Sequence, residues 1–185
     1  LWKKIHRTSC NASTTQTLYF FYNRLFLTPI SLCKFNSSLS NSCWTCKNTP
    51  GNYLHMFFHC PPIHFWTCVC KAISFICSIK FTFDIISIFL GSASSLWIGA
   101  RKKGKFVDLL IAIAFQVITS NWKDAHEVTL TAWWNLLCHH HRLDIASATS
   151  TQQLLQKDIF WSPLTTYLSD PSAKFLDSNA MFQPS

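Results

Sequence analysis

Acidic residues are missing from the first 83 positions of this 185-residue chain, which carry eight lysines and arginines. The first acid is Asp84, and from there eight acids balance eight bases, so the net charge of +8 belongs to the first half. Such a half suits a polyanion, either nucleic acid or an anionic membrane, because each phosphate contact releases counterions. A composition that is simply poor in acids is the alternative.

The usual catalytic motifs are also missing. The chain has four glycines and no glycine-rich phosphate loop, and it lacks the G-x-S-x-G and H-E-x-x-H patterns. Its one glutamate, Glu127, stands far from the cysteine-rich segment, which excludes the zinc-deaminase signature. The paired aspartates of a polymerase metal site are absent as well. We therefore predict that the chain is not an enzyme and assign it no catalytic residue.

The chain begins with no signal peptide, and its nine cysteines form no even framework. Cysteines clustered in pairs favour metal binding over secreted disulfides, so we expect an intracellular chain of the nucleus or cytoplasm. The apolar run 73–90 contains Lys80 and Asp84, each of which costs about 2.5–3.5 kcal/mol near the centre of a bilayer. We predict no membrane partner, and a small cysteine-rich protein spanning the bilayer with this run is the alternative.

Helical spacing of apolar residues predicts a mainly α-helical chain. We expect a helix from Pro61 to about residue 79 and, after a break at 91–99 and the basic cluster 101–105, a central apolar helix at 106–122. Two further helices are predicted at 126–138 and 154–168, the last broken at Pro163. The fold class is therefore a small metal-stabilised knuckle followed by an irregular helical domain.

The segment 43–64 holds cysteines and histidines at the spacing of a tetrahedral metal site. One set has the pattern C-x2-C-x8-H-x4-C and comprises Cys43, Cys46, His55 and Cys60. The other has the two-cysteine, two-histidine finger pattern C-x2-C-x12-H-x4-H and comprises Cys43, Cys46, His59 and His64. Spacing by itself does not distinguish the two sets.

Prolines favour the first set. A finger places both histidines on one helix, but Pro61 and Pro62 lie between them, and proline inside a helix costs about 3 kcal/mol. A finger also has an apolar anchor where this chain has Pro50. The first set needs no helix, so we predict a structural zinc ion with three cysteines, one histidine and no open coordination position. Unligated buried thiols beside a surface histidine are the alternative.

Other cysteines and histidines receive structural interpretations. Consecutive histidines at 139–141 cannot all reach one ion, because neighbouring helical side chains point about 100° apart. We interpret this run as a polar helix end, where His141 and Arg142 suit the negative terminus. Cys68 and Cys70 are interpreted as small buried hydrophobes.

Aromatic and basic residues near the cysteines are candidates for nucleic-acid contact. We expect Phe57 and Phe58 to pack over the metal site, and Trp44 to be exposed and able to stack on unpaired bases. Basic side chains predicted to contact phosphates are Arg24, Lys34, Lys47, Arg101, Lys102, Lys103 and Lys105.

Several segments, in order, resemble the region after the polymerase core of LINE-type (non-long-terminal-repeat) reverse transcriptases, in the forms common in fish and amphibians. The segment 23–46, NRLFLTPISLCKFNSSLSNSCWTC, carries most of the resemblance, together with NWKD at 121–124 and WSPLTTYLSD at 161–170. The coverage runs from about residue 17 to residue 170. Since the sequence opens on Leu1 and its first methionine is Met56, we interpret it as a piece of a longer protein.

The resemblance implies a C-terminal fragment of an RNA-directed DNA polymerase and endonuclease whose catalytic residues lie upstream of Leu1. In that family the Cys-Cys-His-Cys region is implicated in binding nucleic acid, so the implied partners are RNA or DNA and the upstream polymerase domain. Phe58, Val128 and Leu143 stand where the family often has tryptophan, proline and glutamate. Such departures also fit a decayed, non-functional relic, which is a further alternative.

We thus predict four regions: a basic, aromatic lead-in at 1–42, a zinc knuckle at 43–66, a helical C-terminal domain at 67–170 and a disordered tail at 171–185.

Overall fold

The protein is described by a computed structural model that covers residues 12–60, 62–90, 101–122 and 128–170. Over these residues the chain is mainly helical, and its strand-like pairing is a single antiparallel bridge between Ser42 and Pro50. The prediction of a mainly α-helical chain is confirmed. The predicted break at 91–99, the tail at 171–185 and the helix start at Pro61 lie outside the described residues.

Seven α-helices occur in the described part of the chain. They are α1 (Ala12–Tyr22), α2 (Pro29–Phe35), α3 (Pro62–Cys77), α4 (Ile85–Leu90), α5 (Arg101–Ser120), α6 (Leu130–Ala146) and α7 (Thr151–Ser169). A π-helical turn covers His55–His59 between α2 and α3. Thr28, Thr129 and Ser150 begin α2, α6 and α7 by accepting a hydrogen bond from the backbone N–H three residues on.

The core is built around α5. All ten residues from Phe106 to Phe115 are buried, so this part of the helix is covered on every side. It packs against α1, α3, α6 and α7. A helix that is apolar on all faces belongs inside a bundle, and the predicted central position is confirmed.

Three buried tryptophans tie the outer elements together. The indole N–H of Trp66 in α3 donates to the Phe57 carbonyl at 2.8 Å, and that of Trp133 in α6 donates to the Leu110 carbonyl at 3.0 Å. Trp161 in α7 donates to the Asp144 carboxylate at 2.8 Å. A buried indole needs such an acceptor, so these bonds orient the helices as well as filling the core.

The basic cluster 101–105 belongs to a helix. We expected it to precede a helix starting at Phe106, but α5 begins at Arg101 and includes the whole cluster. The Lys103 ammonium donates to the Cys77 carbonyl at 3.1 Å, at the end of α3. This contact offsets the unfavourable placement of cations in a first helical turn.

The interpretation of 138–141 as a helix end is wrong. Because Thr129 caps α6, the helix starts at Leu130 and continues to Ala146, which places the histidines in its middle. His140 is buried, and its Nε2 lies 3.3 Å from Oε1 of Gln116 in α5. The run therefore contributes a buried polar contact between α5 and α6.

The predicted break at Pro163 is also wrong, since α7 runs through it. Proline lacks the N–H that would bond the carbonyl four residues back, here that of Ile159. The Ser162 hydroxyl donates to this carbonyl at 2.9 Å instead. A side chain thus replaces the missing backbone donor.

The apolar run 73–90 is divided between two helices. α3 ends at Cys77, slightly before the predicted residue 79, because Ser78 has a positive φ of 50°. An irregular segment then precedes α4. Within the described ranges, none of the helices combines the length and the apolar character needed to cross a bilayer.

Candidate metal centre

Three thiols and one imidazole converge in front of α3. The sulfur atoms of Cys43, Cys46 and Cys60 and one ring nitrogen of His55 all lie within 4.8 Å of one another. This is the one group of three or more possible metal ligands of the Cys, His, Asp and Glu types in the described part of the chain. The four residues lie close enough to hold a metal ion.

A tight turn brings the first two thiols together. The Lys47 N–H donates to the Cys43 carbonyl at 3.1 Å, and the Cys43 N–H donates to the Thr49 carbonyl at 2.8 Å. Lys47 closes the turn with a positive φ of 58°, a conformation that costs a side-chain-bearing residue roughly 1–2 kcal/mol. The chain therefore accepts local strain in order to hold Cys43 and Cys46 on one side of the turn.

The π-helical turn positions the other two ligands, because His55 is its first residue and Cys60 follows directly after its last. The side chain of Asn52 accepts from the His55 N–H at 2.8 Å and starts the turn, and the Cys60 N–H donates to the His55 carbonyl at 3.0 Å. In an α-helix, residues five apart differ by about 140° around the axis (five steps of 100°, less one full turn), whereas the i→i+5 bond of a π-turn places them about one turn apart on the same side. The H-x4-C spacing matches this repeat and was the signal for a π-turn that we missed.

The histidines of the alternative finger pattern lie elsewhere. His59 is exposed, with Nδ1 3.3 Å from the Leu54 carbonyl, and His64 is exposed on α3, with Nε2 3.7 Å from the Cys68 sulfur. The two belong to separate elements, because the π-turn ends before α3 begins. The structure brings together the first set of four and not the second.

Burial and hydrogen bonding differ among the four side chains. Cys43 is fully buried, with its sulfur 3.6 Å from the sulfur of Met56. Cys46 and His55 are half-buried, and their side chains are 3.5 Å apart. The Thr49 hydroxyl lies 3.4 Å from the Cys46 sulfur and 3.2 Å from Nε2 of His55. Thr49 thus positions the outer pair while apolar packing fixes the inner cysteine.

The pKa values of the thiols shift in opposite directions, as expected of a group that is complete only with a cation bound. Hydrogen bonds from the Thr49 hydroxyl and the Asn48 backbone lower the pKa of Cys46 to about 5, so this thiol is readily a thiolate. Burial, together with the nearby Cys46 and Cys43, raises the pKa of Cys60 to about 12. Three adjacent thiolates repel each other unless a metal ion lies between them, and metal binding would therefore release protons.

The aromatic side chains of the knuckle contact the helical core. Phe57 and Phe58 are buried as expected, and Phe57 contacts Trp122 at 4.6 Å between centroids. The buried sulfur of Cys43 is in contact with the sulfur of Met56. Trp44 is half-buried rather than exposed, since its ring meets Trp122 edge-on at 6.4 Å.

The other two cysteines that we interpreted as buried differ in their surroundings. Cys70 is buried as expected, whereas Cys68 is half-buried beside His64. Cys68 still packs against the hydrophobic core, so the apolar interpretation holds for both cysteines, with Cys68 only partly buried.

The predicted phosphate contacts fall into two groups. Arg24, Lys34 and Lys47 are exposed on the segments around the cluster. Lys103 and Lys105 are exposed in the first turns of α5, with the ammonium of Lys103 bound to α3. Arg101 and Lys102 belong to the same helix, but their side chains lie outside the described structure. The assignment of these side chains as phosphate contacts stays a prediction.

No protein-family model matches the chain, and neither curated proteins nor solved structures give a match to it. The resemblance to LINE-type reverse transcriptases stays a prediction that rests on the sequence segments.

Proposed function

We propose that this chain is a non-catalytic nucleic-acid-binding module organised around a structural zinc ion, from the C-terminal region of a LINE-type reverse transcriptase. The observation that carries the proposal is the group of four metal ligands at Cys43, Cys46, His55 and Cys60, set in a region without acidic residues. The proposed partners are RNA or DNA and, through the sequence resemblance, the polymerase domain upstream.

The donor set supports zinc over other metals. Thiolate and imidazole ligands in a group of four are typical of zinc, whereas magnesium and calcium prefer oxygen. Ligand atoms on a zinc tetrahedron are about 3.3–3.8 Å apart, so the observed limit of 4.8 Å requires only a small contraction. With four protein ligands the ion has no open position for a substrate, which supports a structural role.

Charge supports a polyanionic partner. Arg24 is exposed in the turn after α1, Lys34 in α2 and Lys47 in the knuckle, and residues 12–83 contain no acid to pair with them. Two acids of the helical region are engaged elsewhere: Asp144 pairs with Lys157 at 3.3 Å, and Asp108 is buried. A phosphate backbone matches such a one-sided surface and would bind it in a salt-dependent manner.

Fluorescence anisotropy with single-stranded RNA at increasing salt tests the proposal. The logarithm of the binding constant should fall linearly with the logarithm of salt concentration, by about 0.7 for each phosphate contact with a single strand. Replacing Arg24, Lys34 and Lys47 together with alanine should lower this slope by about 2. Lys71→Ala, an exposed lysine on α3, is the matched control and should change the slope less. A flat salt dependence of the parent chain would refute the proposal.

A further inference from the structure

The most exposed aromatic side chain in the described structure belongs to α2, the helix that precedes the knuckle. Phe35 is 84% exposed and is the last residue of α2, next to Lys34. Trp44, the aromatic residue that we expected to stack on bases, is instead turned against Trp122. An isolated exposed apolar residue needs no explanation in general, so the surroundings of Phe35 decide what it can do.

The helix that carries Phe35 is fixed to the knuckle. Thr28 caps its first turn, and the Ile30 N–H donates to the Gly51 carbonyl at 3.4 Å. Pro29 packs so closely on Gly51 that a Cβ there would lie 2.5 Å from the proline ring. α2 therefore holds the ring of Phe35 on a rigid support while leaving it in solvent.

The surface around this ring is cationic and rich in neutral donors. Lys34 precedes it, and the loop 36–42 that follows is exposed almost throughout and consists mainly of serine and asparagine. The Asn36 side chain accepts from both the backbone and the hydroxyl of Ser38, which orders the start of this loop. No acid occurs between residues 12 and 83, so the segments that carry this ring add no negative charge that would repel a phosphate.

We infer that Phe35 is a stacking platform for an unpaired base and that Lys34 binds the adjoining phosphate, so that the ligand class of this face is single-stranded nucleic acid. The inference rests on the proposed nucleic-acid binding and narrows it. A free aromatic face stacks on bases of any sequence, but only on bases whose own faces are open. Bases inside a duplex are covered by their neighbours, so a duplex would reach Lys34 without using Phe35.

The test compares variants of the full zinc-loaded chain by anisotropy, with an unstructured RNA of about 15 nucleotides and the duplex of the same sequence as probes. Phe35→Ala should weaken single-strand binding roughly 5- to 150-fold, the range expected for losing one stacked base. Phe35→Leu keeps apolar bulk without an aromatic face and should weaken it similarly, whereas Phe35→Trp should bind as well as the parent. The salt slope should not change in these variants, while Lys34→Ala should lower it by about 0.7.

Leu155→Ala is the control. Like Phe35→Ala it shortens an exposed apolar side chain to alanine, but on α7, and it should leave binding unaltered. Duplex affinity should not respond to any change at Phe35. If Phe35→Ala and Phe35→Leu both bound the single strand as tightly as the parent chain, with the same salt dependence, the inference about Phe35 would be overturned and the proposed function would stand. Equal affinity of the parent chain for duplex and single strand would do the same. Absence of salt-dependent binding by the parent chain would overturn the proposed function as well.

Discussion

Gly51 is the position at which the structure makes its sharpest mechanical prediction. A Cβ on this residue would lie 2.5, 2.8 and 3.0 Å from the Cγ, Cδ and Cβ atoms of Pro29, against about 3.5–4.0 Å for an ordinary carbon contact. Neither side has room to yield, because Pro29 is buried and its ring is rigid. On the Gly51 side, the N–H is held by the Asn41 carbonyl at 2.8 Å. Gly51→Ala must therefore push α2 away from the knuckle.

Overpacking of this kind costs about 1–3 kcal/mol, and the lower chain entropy of alanine in the unfolded state returns about 0.4–1 kcal/mol. We expect a net loss of about 1–2 kcal/mol, which in a chain of this length lowers the melting temperature by roughly 2–8 °C. Circular dichroism at 222 nm during heating of the zinc-loaded protein measures the melting temperature. Ser37→Ala, in the exposed loop that follows α2, is the control and should leave that temperature unchanged.

A second substitution separates this mechanism from a general loss of stability. Pro29→Ala removes the two ring carbons that the new Cβ would meet most closely, so the double variant Pro29→Ala with Gly51→Ala should be more stable than the sum of the single changes predicts. Strict additivity of the two changes, or a melting temperature unaffected by Gly51→Ala, would refute the steric argument.

Three further predictions follow from the knuckle and the helical core. Lys47→Gly should stabilise the folded chain by about 1 kcal/mol, because glycine adopts the positive φ of 58° without strain; a lower denaturation midpoint would contradict this. The free energy of unfolding should fall as the pH drops below about 6.5, because burial lowers the pKa of His140 and the unfolded state then binds more protons than the folded state. His140→Gln should weaken this dependence in urea titrations, whereas the exposed His139→Gln should not, and equal effects of the two would argue against it. Elemental analysis should find about one zinc ion per chain, and a chelator should lower the melting temperature by an amount that Cys60→Ser reproduces; a melting temperature indifferent to chelation would exclude a structural ion.

Sequence reasoning succeeded where a single physical constraint dominates. A helix without a polar face has to lie inside the bundle, and that places α5 at the centre. Prolines between His59 and His64 make a continuous helix costly, which directed the choice of ligands to His55 and Cys60, the two that the structure places beside Cys43 and Cys46.

Sequence reasoning failed where a side chain replaces a backbone hydrogen-bond partner and where segments distant in the sequence come into contact. The continuity of α7 depends on one bond from Ser162 to the Ile159 carbonyl, and the start of α6 depends on the cap at Thr129. Neither the Ser162 bond nor the Thr129 cap alters the spacing of apolar residues from which the helices were predicted. Trp44 is half-buried and meets Trp122, a residue far along the chain, so its local surroundings gave no indication of this contact.

The knuckle and the helices share their supporting contacts, and this bears on how metal binding acts on the whole chain. The Trp66 and Trp122 indoles donate to carbonyls of Phe57 and Leu27, and the Tyr53 hydroxyl donates to the Phe21 carbonyl. These bonds join the loops that flank the cluster to α1, α3 and the end of α5. The predicted boundary at residue 66 between knuckle and helical domain stays a prediction, but buried residues form one continuous cluster on both sides of it. An ion that binds only the folded loop stabilises by mass action whatever unfolds with that loop. Chelation should therefore change the near-ultraviolet signal of the core tryptophans together with the signal of the helices, in one transition.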